Sequence, residues 1–373
     1  MIMREINYCG ISGGKDSTAV APQRQKWVGG LAEWTEEDNT AFLSVAFTWK
    51  LPEARSRALW YRACGYKVRV GGPAIFVCKK YLADVAEIGG EYPDAIKHHN
   101  PAATMASRGC PVGCWFCIVP KMEGRDFTLL PDFPVRPILC DNNLSALPAK
   151  YQQHIISRYQ AEGIPLLDAN SGFEPRTFDG SVYERWRKIN RGPWRFAYDD
   201  LAEREYVQQV MLMLKDEPPK RKRVYVLIGN EPVDVCLSRL REVIDWGGEP
   251  HAQPLIKLNA LERRPSVRFD WTEQKLVDMA RWANRRIWRY APFHEYRRSK
   301  KSAKTDRGGR QYPLNLEQGL ACDSGRGMCE CWLTSLKAHG APPVIQQASG
   351  PDISAVRSSS RGRGYRGRMS SAG

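Results

Sequence analysis

No run of about 18 apolar residues occurs in the 373-residue sequence, so it predicts no transmembrane helix. The opening MIMREINYCGISGGKDS lacks the apolar core of a secretory signal. A reducing, cytoplasmic setting is therefore expected, with free thiols rather than disulfides. No internal repeat is visible, which argues against a repeat architecture. Acidic residues are the minority: 41 Asp and Glu stand against 56 Lys and Arg, a net charge of +15. That imbalance favours polyanionic partners, nucleic acid or nucleotide substrates, although a basic surface can also simply solubilise a chain. Much of the charge lies in Lys220–Arg223, Arg297–Lys304 and the tail.

Hydrophobic residues make up 42%, enough for a sizeable core. A strand is expected over Glu5–Ile11, ahead of the turn Ser12–Ser17. Residues 42–49 read as a buried strand, 52–65 as a helix closed by Gly65, and 67–70 as a strand, together one β-α-β unit. From residue 103 strands and helices alternate. Strands are expected at VRPILC, IPLLDAN, WRFAYDD, RVYVLIG and HAQPLIKL, with helices over 146–162, 180–190, 201–215 and 232–246. A last helix is expected over 271–290. Such alternation predicts parallel strands with crossover helices. The fold class is therefore α/β: a partial (β/α)6 barrel of parallel strands, preceded by a small incomplete α/β unit. Polar residues recur at the strand ends: Asp141-Asn142-Asn143, Asp168 and Asn170, Asp199-Asp200, Gly229-Asn230. Each alone could be a helix cap. Their recurrence on one edge is where parallel α/β proteins hold ligands.

Six of the eleven cysteines form two clusters, Cys110/Cys114/Cys117 and Cys322/Cys329/Cys331. Cys9, Cys64, Cys78, Cys140 and Cys236 are scattered among apolar neighbours and read as small core residues. The spacing CxxxCxxC suits three corners of an iron–sulfur cubane held by thiolates, with the fourth corner open. Gly109 and Gly113 permit tight turns, and Trp115-Phe116 could shield a cluster. Zinc is the rival; it wants four ligands in structural sites, and His98 or His99 could supply the fourth. The second cluster could hold an auxiliary iron–sulfur centre or zinc, or act as a redox pair.

The stretch TMASRGCPVGCWFCIVPKMEG resembles the radical S-adenosylmethionine superfamily, over roughly residues 42–290. The resemblance implies a 4Fe-4S cluster on Cys110, Cys114 and Cys117, with S-adenosylmethionine on the open iron. It also implies an electron donor such as flavodoxin or ferredoxin. Phe116 matches the family's aromatic near the adenine. Asp141-Asn142-Asn143 stands where the family has GGE, the contact to the methionyl amine. Glu174 and Arg176 are candidates for the ribose or the methionyl carboxylate. No substrate motif is evident.

On this reading the chain divides into an N-terminal segment (1–40), a partial cobalamin-binding-like unit (41–100), the radical core (101–262), a helical, cysteine-containing extension (263–345) and a disordered basic tail (346–373). The cobalt-ligating DxHxxG loop is absent, so no cobalamin is expected. Two other readings compete. Ser12-Gly13-Gly14-Lys15-Asp16-Ser17 resembles the phosphate loop of PP-loop ATP pyrophosphatases, which implies an ATP-dependent adenylating or sulfur-handling enzyme. The third is a zinc-stabilised nucleic-acid-binding protein.

Overall fold

The computed structural model describes residues 27–296 except 91, 93 and 171. The expected strand Glu5–Ile11, the Ser12–Ser17 loop, Cys9, Arg297–Lys304, Cys322, Cys329, Cys331 and the tail lie outside the described residues.

The N-proximal sheet has the order β1 (Leu31–Thr35), β2 (Thr40–Val45), β3 (Lys67–Gly71), β4 (Glu87–Ile88). β2, β3 and β4 run parallel, and helix α1 (Leu51–Ala63) crosses from β2 to β3, the expected β-α-β unit. Leu51, Ala54, Ala58 and Tyr61 of α1 recur on one helical face and are buried with Leu43, Val45, Val68 and Val70. Gly65 ends the helix at φ 86°. β1 was not foreseen. It pairs antiparallel with β2 through a turn in which Asp38 accepts from the Thr40 N–H (3.0 Å) and Asn39 adopts φ 58°. Two short helices follow, α2 (Pro73–Val77) and α3 (Ile96–His99).

The rest of the described chain is built on two three-stranded parallel sheets. One has the order β5 (Ala103–Thr104), β8 (Ile138–Leu139), β9 (Asp168–Ala169); the other runs β10 (Trp194–Tyr198), β11 (Lys222–Ile228), β12 (Glu249–Pro254). Between β5 and β8 lies a small antiparallel hairpin, β6 (Ser107–Arg108) and β7 (Thr128–Leu129), with α4 (Val119–Met122) in its loop. The crossovers are α5 (Ala149–Ala161), α6 (Gly180–Trp186), α7 (Arg204–Met213) and α8 (Val233–Asp245); α9 (Glu273–Asn284) follows β12. The alternation and the parallel direction agree with the sequence reading. No closed barrel is present among the described residues. A single parallel bridge, Leu166 to Asn190, lies between the β9 and β10 segments, and the Arg195 guanidinium on β10 grips Asp168 on β9 at 2.5 Å.

Side chains alternate across β10–β12 as the pleat requires. Trp194, Phe196, Tyr198, Val224, Val226, Ile228 and Ala252 enter the helix-covered core. Arg195, Arg223, Tyr225 and His251 occupy the intervening positions. Fully buried Arg239 on α8 donates to the Tyr198 and Leu227 carbonyls at 2.7 and 3.0 Å and pairs with Glu231, tying α8 to the ends of β10 and β11.

Three expectations differ from the structure. The helix expected over 271–290 stops at Asn284, because Arg286 takes the left-handed conformation (φ 56°), its guanidinium held by Glu249 at 2.7 Å. Cys64 is exposed, at the turn that ends α1, and Cys78 is half-buried; among the described residues of the scattered set, Cys140 and Cys236 are the buried ones. The β8 and β9 ladders are two residues each, far shorter than VRPILC and IPLLDAN suggest. Pro134, Pro137 and Pro165 carry no N–H to extend them.

Trp186 is fully buried, donates from Nε1 to Gln152 at 3.0 Å and meets the Phe173 ring at 5.6 Å. Trp186→Ala is expected to cost about 3–5 kcal/mol, measured by urea unfolding. A loss below about 1 kcal/mol would contradict this packing.

Candidate metal and cofactor site

The three clustered cysteines sit in the loop closed by the β6–β7 hairpin. Gly109 enters it at φ 86°; a Cβ there would lie 2.1 Å from the Asp126 carbonyl oxygen, so no side chain fits. The Cys110 N–H donates to the Gly124 carbonyl (3.3 Å) and the Cys117 N–H to the Cys114 carbonyl (3.0 Å). Glu123 closes the loop from inside. Its side chain is 1% accessible, and it accepts from the Gly109 N–H (3.0 Å) and Asn142 Nδ2 (2.6 Å) and pairs with Arg108 (3.2 Å).

All three cysteines line one open pocket, together with Phe116, Asn143, Phe173 and Glu174. Cys110 comes from the loop entrance, Asn143 from the end of β8, and Phe173 and Glu174 from beyond β9. The pocket thus lies at the C-terminal ends of the first parallel sheet, the edge picked out by the polar strand ends. Asn143 Nδ2 points at Cys110 Sγ (3.9 Å), while its Oδ1 accepts from the Ala146 N–H (3.1 Å). Ser145 links the two strand ends: its hydroxyl accepts from the Glu174 N–H (2.8 Å) and contacts Asn143 Oδ1 (3.3 Å).

Five of the six candidate cofactor residues divide into two groups, and Arg176 supports one of them. Phe116, Asn143 and Glu174 line the pocket; Asp141 and Asn142 stand behind the loop and hold it. Asp141 accepts from the Ala106 N–H (2.7 Å) and the Ser107 hydroxyl (2.5 Å). Asn142 ties Glu123 and the Gly109 carbonyl (3.4 Å). Arg176 is ion-paired with Glu174 (2.7 Å) and reaches Glu203 (3.6 Å). The Glu174 bond is the main cause of its raised pKa, and the Cys114 thiol adds to it from nearby. Trp115 does not shield the pocket: it is 60% exposed, edge-on to Phe116. The histidines suggested as a fourth zinc ligand are engaged elsewhere. His98 stacks on Trp34 (3.9 Å), and His99 contacts the Ser44 hydroxyl (2.8 Å), with burial pushing its pKa down to about 4.

Burial is the main cause that raises the pKa of the Cys110 thiol; Asn143 opposes it. A thiolate here therefore calls for positive charge beside it, which a ligated metal supplies. Among the described residues, no three His, Cys, Asp or Glu side chains converge as one bound ion requires. A cubane makes a different demand. Each thiolate meets its own iron, so the thiols need a shared pocket rather than a shared point. The donor set fits that group: three thiols, one buried, with the Glu174 carboxylate at the same pocket and the Asn143 amide N–H toward Cys110.

Glu123, Ser145 and Phe173 were not singled out by sequence reasoning. Glu123 lies inside the TMASRGCPVGCWFCIVPKMEG stretch, but its role shows only once the loop folds back on it. Ser145 carries no local signal.

Burial pushes the Asp141 carboxyl up to about 7, well above the ordinary carboxylate range. The folded state thus keeps a proton that the unfolded chain releases. The contribution is complete below about pH 4 and is lost as pH rises through about 7. Urea midpoints of the native chain are expected to fall from pH 4 to 7 more steeply than those of Asp141→Asn. Parallel profiles would contradict this protonation.

No protein-family model matches this chain, and no curated protein matches it.

Proposed function

We propose that this chain is a radical S-adenosylmethionine enzyme whose 4Fe-4S cluster is held by Cys110, Cys114 and Cys117. The observation that carries the reading is that the three thiols of the CxxxCxxC loop line one pocket at the C-terminal ends of parallel strands. We further read the strand sequence β5-β8-β9 and β10-β11-β12, with the Leu166–Asn190 bridge between, as a partial (β/α)6 barrel. When bound, the cluster and S-adenosylmethionine supply one-electron cleavage of a C–S bond and a 5′-deoxyadenosyl radical that takes hydrogen from the substrate.

The residues of the chain position and exclude. Asn143 orients Cys110 from the pocket side, and Glu123 fixes the loop against β6. Phe116 offers a flat apolar wall for the adenine. Asn143, at the pocket, stands for the methionyl amine contact, and Glu174 with its partner Arg176 for the ribose or the methionyl carboxylate. Phe173 keeps the inner end of the pocket dry. The electron comes from a flavodoxin- or ferredoxin-type donor. Among the described residues no helix is long and apolar enough to cross a membrane.

Anaerobic reconstitution with iron and sulfide tests the proposal. The chain is expected to retain iron and sulfide in equal amounts and, with dithionite, to convert S-adenosylmethionine to 5′-deoxyadenosine. Cys110→Ala, Cys114→Ala and Cys117→Ala should each fall to background, while Cys236→Ala keeps the activity. Zinc in place of iron, with no 5′-deoxyadenosine formed, overturns it.

A further inference from the structure

Basic charge is concentrated at the edge where the chain enters the strands of the second parallel sheet. The loops entering β10, β11 and β12 (187–193, 214–222, 245–249), with residues 285–290 after α9, carry ten basic and four acidic residues. At the other edge the turns leaving β10 and β11 (199–203 and 229–233) carry Asp199, Asp200, Glu203 and Glu231 and no basic residue, whereas the turn leaving β12 (255–264) carries Lys257, Arg263 and Arg264 against Glu262.

At the basic edge the acids are already engaged or outnumbered. Glu217 pairs with Arg221 at 2.9 Å. Glu249, its side chain 5% accessible, faces three guanidiniums at once: Arg286 at 2.7 Å, Arg289 at 3.2 Å and Arg223 at 4.0 Å. One carboxylate neutralises one of the three. The remaining charge is within reach of solvent, since these arginine side chains are 29–45% accessible. Exposed Lys188, Arg191, Lys220 and Arg285 add to it. Next to Arg289, Tyr290 is 89% exposed, the most exposed large hydrophobic side chain among the described residues. Arg289 also lies over the Trp288 ring (5.1 Å).

We propose that this edge binds single-stranded nucleic acid, with backbone phosphates on Arg223, Arg286, Arg289 and Lys220 and an unpaired base stacked on Tyr290. Guanidiniums clustered beyond their local carboxylates suit phosphate oxygens. A ring left in water beside them suits base stacking, which a duplex does not offer. An acidic protein would use the charge but not the ring. The inference does not depend on the chemistry at the cysteine pocket.

The test uses the full chain with Arg357, Arg361, Arg363, Arg366 and Arg368 replaced by Gln, so that tail charge does not mask the surface. The probe is a fluorescein-labelled, mixed-sequence single-stranded oligonucleotide, read by anisotropy across a salt series, with poly-glutamate as a second ligand. Tyr290→Ala, whose side chain is almost wholly in solvent, is expected to weaken oligonucleotide binding at least about fivefold and leave poly-glutamate binding unchanged. Lys220→Glu with Arg285→Glu, which spares the Glu249 cluster, should weaken both and flatten the salt slope by about 0.7 per lost phosphate contact. No oligonucleotide binding in this background overturns the proposal. Insensitivity to Tyr290→Ala overturns it too, and with strong poly-glutamate binding would assign the surface to an acidic protein instead.

Discussion

Glu123 is a buried carboxylate that receives the Gly109 N–H, the Asn142 amide and Arg108, and the cysteine loop depends on it. Gly109 must turn through a conformation that other residues avoid, with the Asp126 carbonyl pressed against it. Ile118 and Val119 bury the loop's apolar side, and buried polar bonds hold the turn that carries Cys110. Asp141 does the same for the strand before the loop by accepting from Ala106 and Ser107. Removing either acceptor would strand buried donors, at a cost of about 1–3 kcal/mol for each group.

The clasp connects the loop to the sheet. Asp141, Asn142 and Asn143 are consecutive residues leaving β8, so one strand end grips the loop from behind and reaches Cys110 from the side. Ser145 extends the grip to Glu174 beyond β9. Trp186 and Phe173 carry it into the main core, through ring contacts that run on to Trp194 and Phe196. The pocket is thus positioned by short parallel ladders backed by deep aromatic packing. This fits a site that must hold three thiols in fixed relation while one wall stays open.

Much of this was legible in the sequence, and the reasons differ by element. α1, α5 and α8 announce themselves by apolar spacing and by Gly65, Gly163 and Gly247, all at positive φ. β10 and β11 carry the apolar runs Phe196–Tyr198 and Val224–Ile228. The cysteine spacing marked the loop, and the polar strand ends marked the edge. What sequence could not assign was which polar residues face the pocket and which hold the loop from behind. Asn142 and Asn143 are neighbours with opposite duties, because side chains diverge where the chain leaves a strand. β1 escaped notice because LAEWT is too short and too mixed for either period. The break at Arg286 depends on Glu249, 37 residues away in sequence. That contact exists only after folding, so local pattern could not show it.

The central claim is that one iron of a cluster on Cys110, Cys114 and Cys117 is open to S-adenosylmethionine. Electron paramagnetic resonance of the reconstituted, dithionite-reduced chain tests it most directly. The account predicts a reduced-cubane signal whose shape changes when S-adenosylmethionine is added, and no such signal in Cys114→Ala. A spectrum indifferent to S-adenosylmethionine, or reconstituted protein with no cluster signal at all, would contradict it.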